Sequence, residues 1–136
     1  MVFSLRRAAR AASHRLDIAL APIGLSAGQF TILSALAATA ESPSLGAARL
    51  CRTLAMDRST LNRNLAPLLS RGLIARDGGR GRTGLRYRLT GDGADLLQTA
   101  GMAWQTVQRD LIGGIGGAEA GRVLAALDRI TSVAQK

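Results

Sequence analysis

The chain has 136 residues, enough for one domain that removes roughly two thirds of its extended surface from water without a disulfide or structural metal. Apolar residues make up 47%, mostly Ala and Leu with only four aromatics, which excludes a sheet-rich core and points to a mainly α protein. The formal net charge is +9, and the ten arginines from Arg49 to Arg88 are offset only by Asp57 and Asp77; that middle block carries +8 and all other residues +1, the pattern of a polyanion-binding face.

The stretch "MVFSLRRAARAASHRLDIALAP" scatters arginines through its apolar positions, unlike the uninterrupted apolar segment of a secretory signal. No run approaches the roughly eighteen apolar residues of a membrane span, so a soluble, cytoplasmic protein without a membrane partner is expected. A lone thiol, Cys51, suits a reducing compartment. Within residues 4–20, Leu5, Ala9, Ala12, Leu16 and Ala19 recur at helical spacing with arginines opposite them. His14 falls away from that stripe and has no second His, Cys or carboxylate cluster to make a metal site with it.

A second helix opens at "LSAGQFTILSALAA", where Ser26 and Gln29 stand in capping-box register and Phe30, Leu33, Leu36 and Ala37 share a face. Ser44 is placed to cap a third, "LGAARLCRTLA", with Leu45, Ala48, Cys51 and Leu54 turned to a core and Cys51 simply buried. Asp57 then caps "RSTLNRNLAPLLSRG", and Gly72 stops it. Its apolar stripe is Leu61, Leu65, Leu68 and Leu69; Ser59, Arg63 and Ser70 point away, with Thr60 and Asn62 at the margins. Two short helices joined by a tight turn, the second armed with Arg and Asn, form a helix-turn-helix. Pro67 removes one helical donor, so a bend or a solvated carbonyl is expected on the outer side.

"LIARD" and "LRYRL" read as strands joined by "GGRGRTG", a glycine-shaped loop that carries arginines. Thr90 caps a long helix with Leu97, Ala100, Trp104, Val107 and Leu111 along it; "GGIGG" breaks the pattern, and Val123, Leu124, Leu127 and Ile130 line a last helix. The whole is one domain, 1–136: mainly α with a small β-wing, a winged helix-turn-helix at about 26–90 flanked by helices at about 4–20 and 91–134. The apolar stripes of those flanking helices exceed what a thin winged helix can cover, so burial against a second copy is expected, with Trp104 in the core or the interface. Twofold symmetry would space two half-sites by about one helical turn of DNA or a multiple.

The side-chain chemistry fits duplex recognition. Arginine pairs bidentately with guanine and asparagine with adenine, while Ser59 and Thr60 lie near a helix N-terminus, whose N–H groups favour phosphate oxygens. A winged module for structured RNA or for a protein is the alternative. Tyr87, the one aromatic of the basic block, gives little to stack single-stranded RNA upon. An enzyme is not expected, since the chain has one His and one Cys and no paired carboxylates in a shared motif, and "GGRGRTG" lacks the Lys-Ser/Thr ending of a phosphate loop. No cofactor is indicated.

The order of elements, together with "LSAGQFTILSALA", "MDRSTLNRNLAPLLSRGLIAR" and "YRLTGDG", resembles the multiple antibiotic resistance regulator (MarR) family of bacterial transcription factors over nearly the whole chain. The resemblance implies a homodimer with intertwined first and last helices, set on a palindromic duplex operator, and a repressor role relieved by a small-molecule effector. It places Arg58, Ser59, Thr60, Asn62 and Arg63 in the major groove and Arg80 and Arg82 in an adjacent minor groove. Many relatives carry Asp-x-Arg at the wing tip; here those positions are Gly81 and Thr83, with Arg82 between them. Peroxide-sensing members place their reactive cysteine near the first helix, whereas Cys51 stands at an apolar helix-turn-helix position.

Overall fold

The structure, a computed structural model, describes residues 1–39, 44–78 and 84–136. The elements follow in the order α1 (Val2–Leu20), a 3-10 turn (Ala21–Ile23), α2 (Ala27–Ala38), β1 (Leu45–Gly46), α3 (Ala47–Leu54), α4 (Arg58–Ser70), β2 (Ile74–Asp77), β3 (Arg86–Leu89), α5 (Gly91–Ile115) and α6 (Gly117–Ala134). The fold is mainly helical, with a small antiparallel sheet in the order β1-β3-β2.

The central post is α2. Ser26 begins it with a reciprocal capping box: the Gln29 N–H donates to Ser26 Oγ and the Ser26 N–H donates to Gln29 Oε1. Phe30, Ile32, Leu33 and Leu36 are buried on more than one side of the helix, because α1, α3, α4, α5 and β3 all pack around it. A single apolar face is therefore too narrow a reading of this helix. Ile32 is fully buried, and Ala37, assigned to that face by spacing, is exposed.

Two expectations for the next helix are corrected. Ser44 does not cap it: α3 starts from Gly46 with no side-chain cap, and Ser44 is buried beside a two-residue strand that pairs with β3, Leu45 opposite Tyr87 and Gly46 opposite Arg86. With the helix starting later, its inner positions become Ala47 and Leu50, Ala48 turns outward, and Cys51 is half-buried rather than enclosed. The turn into α4 runs through Ala55, the sole non-glycine residue at positive φ among the described residues, whose N–H is held by the Arg52 and Cys51 carbonyls.

Helix α4 lays Leu61, Leu65 and Leu68 into the core, each at 2% exposure or less. These side chains recur four and three residues apart, and each contributes about 1.5 to 3 kcal/mol by leaving water. Pro67 is accommodated inside the helix. At its end Gly72, at φ +68, closes a Schellman motif: the Leu73 N–H donates to the Leu68 carbonyl and the Gly72 N–H to that of Leu69. The chain then enters the wing, where Ile74 pairs with Leu89 and Arg76 with Tyr87.

Helix α5 begins where Thr90 Oγ1 accepts from the Gly93 N–H and donates to the Gly72 carbonyl. The first turn of α5 thus lies directly on the end of α4. Gly93 is buried there, and a β-carbon at this position would collide with the Leu73 carbonyl oxygen and come within 2.9 Å of Leu89 Cδ1. Since the obstacle is backbone, Gly93→Ala is expected to destabilise the fold by about 1 to 3 kcal/mol or more in urea titration. Gly101→Ala, in the same helix with open space around it, should be neutral or stabilising by up to about 1 kcal/mol. Equal stability of the two variants would contradict the close approach.

Candidate nucleic-acid interface

With its leucines inward, α4 presents Arg58, Ser59, Asn62, Arg63 and Ser70 as exposed side chains. Asn62, read from spacing as marginal, lies on the open side. Thr60 is half-buried and engaged. Its N–H and hydroxyl both donate to the Asp57 carboxylate, at 2.8 and 2.7 Å, and its Oγ1 accepts from the Arg63 guanidinium at 3.3 Å. Asp57, Thr60 and Arg63 form a chain of contacts along one edge of the helix. Asn64 completes the turn from the inner side: it donates to the Thr60 carbonyl, and its Oδ1 packs so close to Gly28 of α2 that a β-carbon there would come within 2.7 Å.

This arrangement alters one expectation. The N–H groups at the start of α4 do attract negative charge, but the Thr60 N–H is already taken by the carboxylate of Asp57. Thr60 therefore orients Arg63 in this conformation rather than offering a free donor. Ser59 remains exposed.

The arginines of the basic block divide into two kinds. Arg49 and Arg52 on α3, Arg58 and Arg63 on α4, and Arg76 and Arg88 on the wing strands are exposed. Arg86 is half-buried, its Nε donating to Ser44 Oγ at 2.8 Å and a terminal nitrogen to the Ser44 carbonyl, so it ties β3 to the segment before α3. Arg71 is exposed as well, but its guanidinium is engaged, donating to the backbone carbonyls of residues 23 and 24. Charge counting alone does not separate such internal ties from free cations. Arg80, Gly81, Arg82 and Thr83 lie outside the described residues.

Other side chains singled out by sequence take simpler places. His14 is exposed, and no group of three or more His, Cys, Asp or Glu able to hold a metal occurs among the described residues. Tyr87 is buried, at 6% exposure. No single described helix is long and apolar enough to cross a membrane. Cys51 borders an open depression of about 540 Å³ with Arg52, Met56, Asp57 and Gln135. Trp104 is 38% exposed and stacks on Phe30 with ring centroids 6.4 Å apart.

Residues 23–83, from the α1–α2 junction into the wing, match the model of the MarR family. Over this stretch, just under half of its length, the chain is similar to the MarR family. The solved structures it resembles include the transcriptional regulator MosR of M. tuberculosis, 29% identical with a TM-score of 0.82 over 98% of this chain and 96% of that one. MosR in complex with DNA is matched at 28% identity and a TM-score of 0.80, over 100% and 98% of the two chains. A MarR mutant from E. coli complexed with operator DNA shares the fold at 20% identity and a TM-score of 0.79, over 93% and 89%. No curated protein matches this chain by sequence.

The cap of α4 gives a pH-dependent prediction. The Asp57 carboxyl is held below the ordinary aspartate value, first by the Thr60 backbone N–H and then by the Thr60 hydroxyl. A carboxyl with a lower pKa in the folded chain contributes stability that is whole above the unfolded value and is lost as pH falls through the folded one. Asp57→Asn keeps an acceptor for the Thr60 N–H but does not titrate. The stability advantage of the parent over Asp57→Asn, measured by urea titration, should hold constant through neutral pH and shrink below about pH 4. An advantage that stays constant or grows on acidification would contradict the cap.

Proposed function

We propose that the chain is a homodimeric transcriptional regulator that reads a palindromic duplex-DNA site through α4 and the wing and acts as a repressor relieved by a small-molecule effector. The observation that carries this reading is the open side of α4. Arg58, Ser59, Asn62 and Arg63 are exposed together on a helix whose opposite side is locked into the core. Such a helix fits the major groove, where Arg63 and Asn62 can each address a base edge and Arg58 and Ser59 a phosphate or base. Thr60 acts by steering Arg63. Arg80 and Arg82, between β2 and β3 in the sequence, are the cations for the adjacent minor groove. The MosR complex with DNA, 28% identical across the chain, supports the choice of DNA.

Pairing is supported by apolar surface left outside the fold. Leu111, Ile112 and Ile115 of α5 and Val123, Leu124 and Leu127 of α6 are all exposed by 38% or more. An open groove of about 520 Å³ between the start of α1 and the end of α6, lined by Val2, Leu5, Ile130 and Val133 among others, adds to it. Apolar area on this scale is covered most economically by a twin copy, and twofold symmetry of the protein then matches a palindrome in the duplex. For the effector, Phe30, Ser34, Leu97, Gly101, Trp104 and Gln105 line an open crevice of about 390 Å³ between α2 and α5, where a flat apolar molecule could stack on the Trp104 ring. The buried state of Tyr87 weighs against single-stranded RNA, since the basic block then has no exposed ring among the described residues.

The test is selection of bound duplexes from a random pool, which should recover a palindrome. On that site Arg63→Ala should lose roughly ten- to a hundredfold in affinity and relax the preferred base at one position of each half-site, with a smaller loss on random duplex. Equal losses on cognate and random duplex would contradict base reading by Arg63.

A further inference from the structure

By its place in the sequence Arg71 belongs to the basic block, yet its guanidinium is used inside the molecule. It follows α4 directly, and its two terminal nitrogens donate to the Gly24 carbonyl at 2.6 Å and the Ile23 carbonyl at 3.2 Å. A planar fork of donors suits two neighbouring acceptors in a way that a lysine does not. Both acceptors lie in the corner between α1 and α2, where the chain direction turns by 82°.

That corner is itself held from several sides. The Gly24 N–H donates to the Ala21 carbonyl and the Leu25 N–H to that of Leu20, with Leu20 and Leu25 both in the core. From α1, Asp17 Oδ1 accepts the Ala27 N–H at 2.6 Å, which fixes the start of α2 against α1. Arg71 thus fastens the far end of α4, roughly 20 Å along the helix from its Asp57 cap, to a corner already locked onto the first helix.

We propose that Arg71 is a positioning residue that sets the angle between α4 and α1, and through it the spacing of half-sites the regulator accepts. The inference rests on the paired duplex-reading function proposed above. If α1 lies in the dimer contact, the tie between α4 and α1 governs how far apart the two recognition helices stand. One base pair added between half-sites rotates the second by roughly 35° about the duplex, so a rigid pair discriminates sharply between spacings.

The experiment uses the full chain and its Arg71→Ala and Arg71→Lys variants on duplexes that carry the selected half-sites at the selected spacing and at one base pair more or fewer. For Arg71→Ala the affinity ratio between the best and the altered spacings should fall at least threefold, with half-site sequence preference unchanged. Its salt dependence should stay parallel to that of the parent, because no phosphate contact has been removed. Arg71→Lys, which keeps the charge and one donor nitrogen but not the planar fork and guards against a variant that fails to fold, should fall between. A parental spacing ratio in both variants would overturn the inference. So would a salt slope shallower by about one unit at unchanged ratio, the mark of a direct phosphate contact. A parent that selects no duplex would instead bring down the functional reading on which the inference stands.

Discussion

The packing of α4 against α2 is the constraint on which the rest depends. Leu61, Leu65 and Leu68 leave α4 only one way to face, toward a post whose Ile32, Leu33 and Leu36 are already enclosed by other elements. Once that stripe is buried, Arg58, Asn62 and Arg63 must lie outside, since a guanidinium taken from water without a partner costs several kcal/mol. The direction of the arginines is thus a consequence of where the leucines go.

Both ends of the same helix are secured by polar contacts rather than by more apolar surface. Asp57 closes the start and, through Thr60, steadies Arg63; Arg71 closes the end against the corner of α1 and α2. Thr90 and Gly93 bring α5 down onto the turn that follows. A helix held at three places has little left to order on binding, which is how rigid elements avoid losing affinity to entropy. The flanking helices stand in contrast: α6 has only Ala120 buried, and Val123, Leu124 and Leu127 of its apolar stripe are exposed.

The parts legible in the sequence were those set by neighbours a few residues apart. The Ser26 and Gln29 box, the Asp57 and Thr90 caps and the Gly72 stop are local signals, and each appears in the structure as its spacing implies. Ser44 misled because its partner, Arg86, lies 42 residues away; a pairing at that distance leaves no mark on local spacing, and the start of α3 shifted with it. Arg71 and Arg86 were hidden for a related reason, since composition counts a cation the same whether it meets solvent or a carbonyl. Ala37 was misplaced because a helix packed on several sides has no single apolar face to find. The engagement of Thr60 was legible too, since an Asp57 cap takes the N–H three residues on, and Thr60 is where it lands.

The central claim is that the exposed arginines of α3, α4 and the wing displace counterions from a double helix. The most direct measurement is the affinity for a duplex across a range of monovalent salt. If each half of a pair places three arginines at phosphates, the logarithm of affinity falls linearly with the logarithm of salt at a slope of roughly −5. A slope near zero, with binding indifferent to salt, would contradict the account.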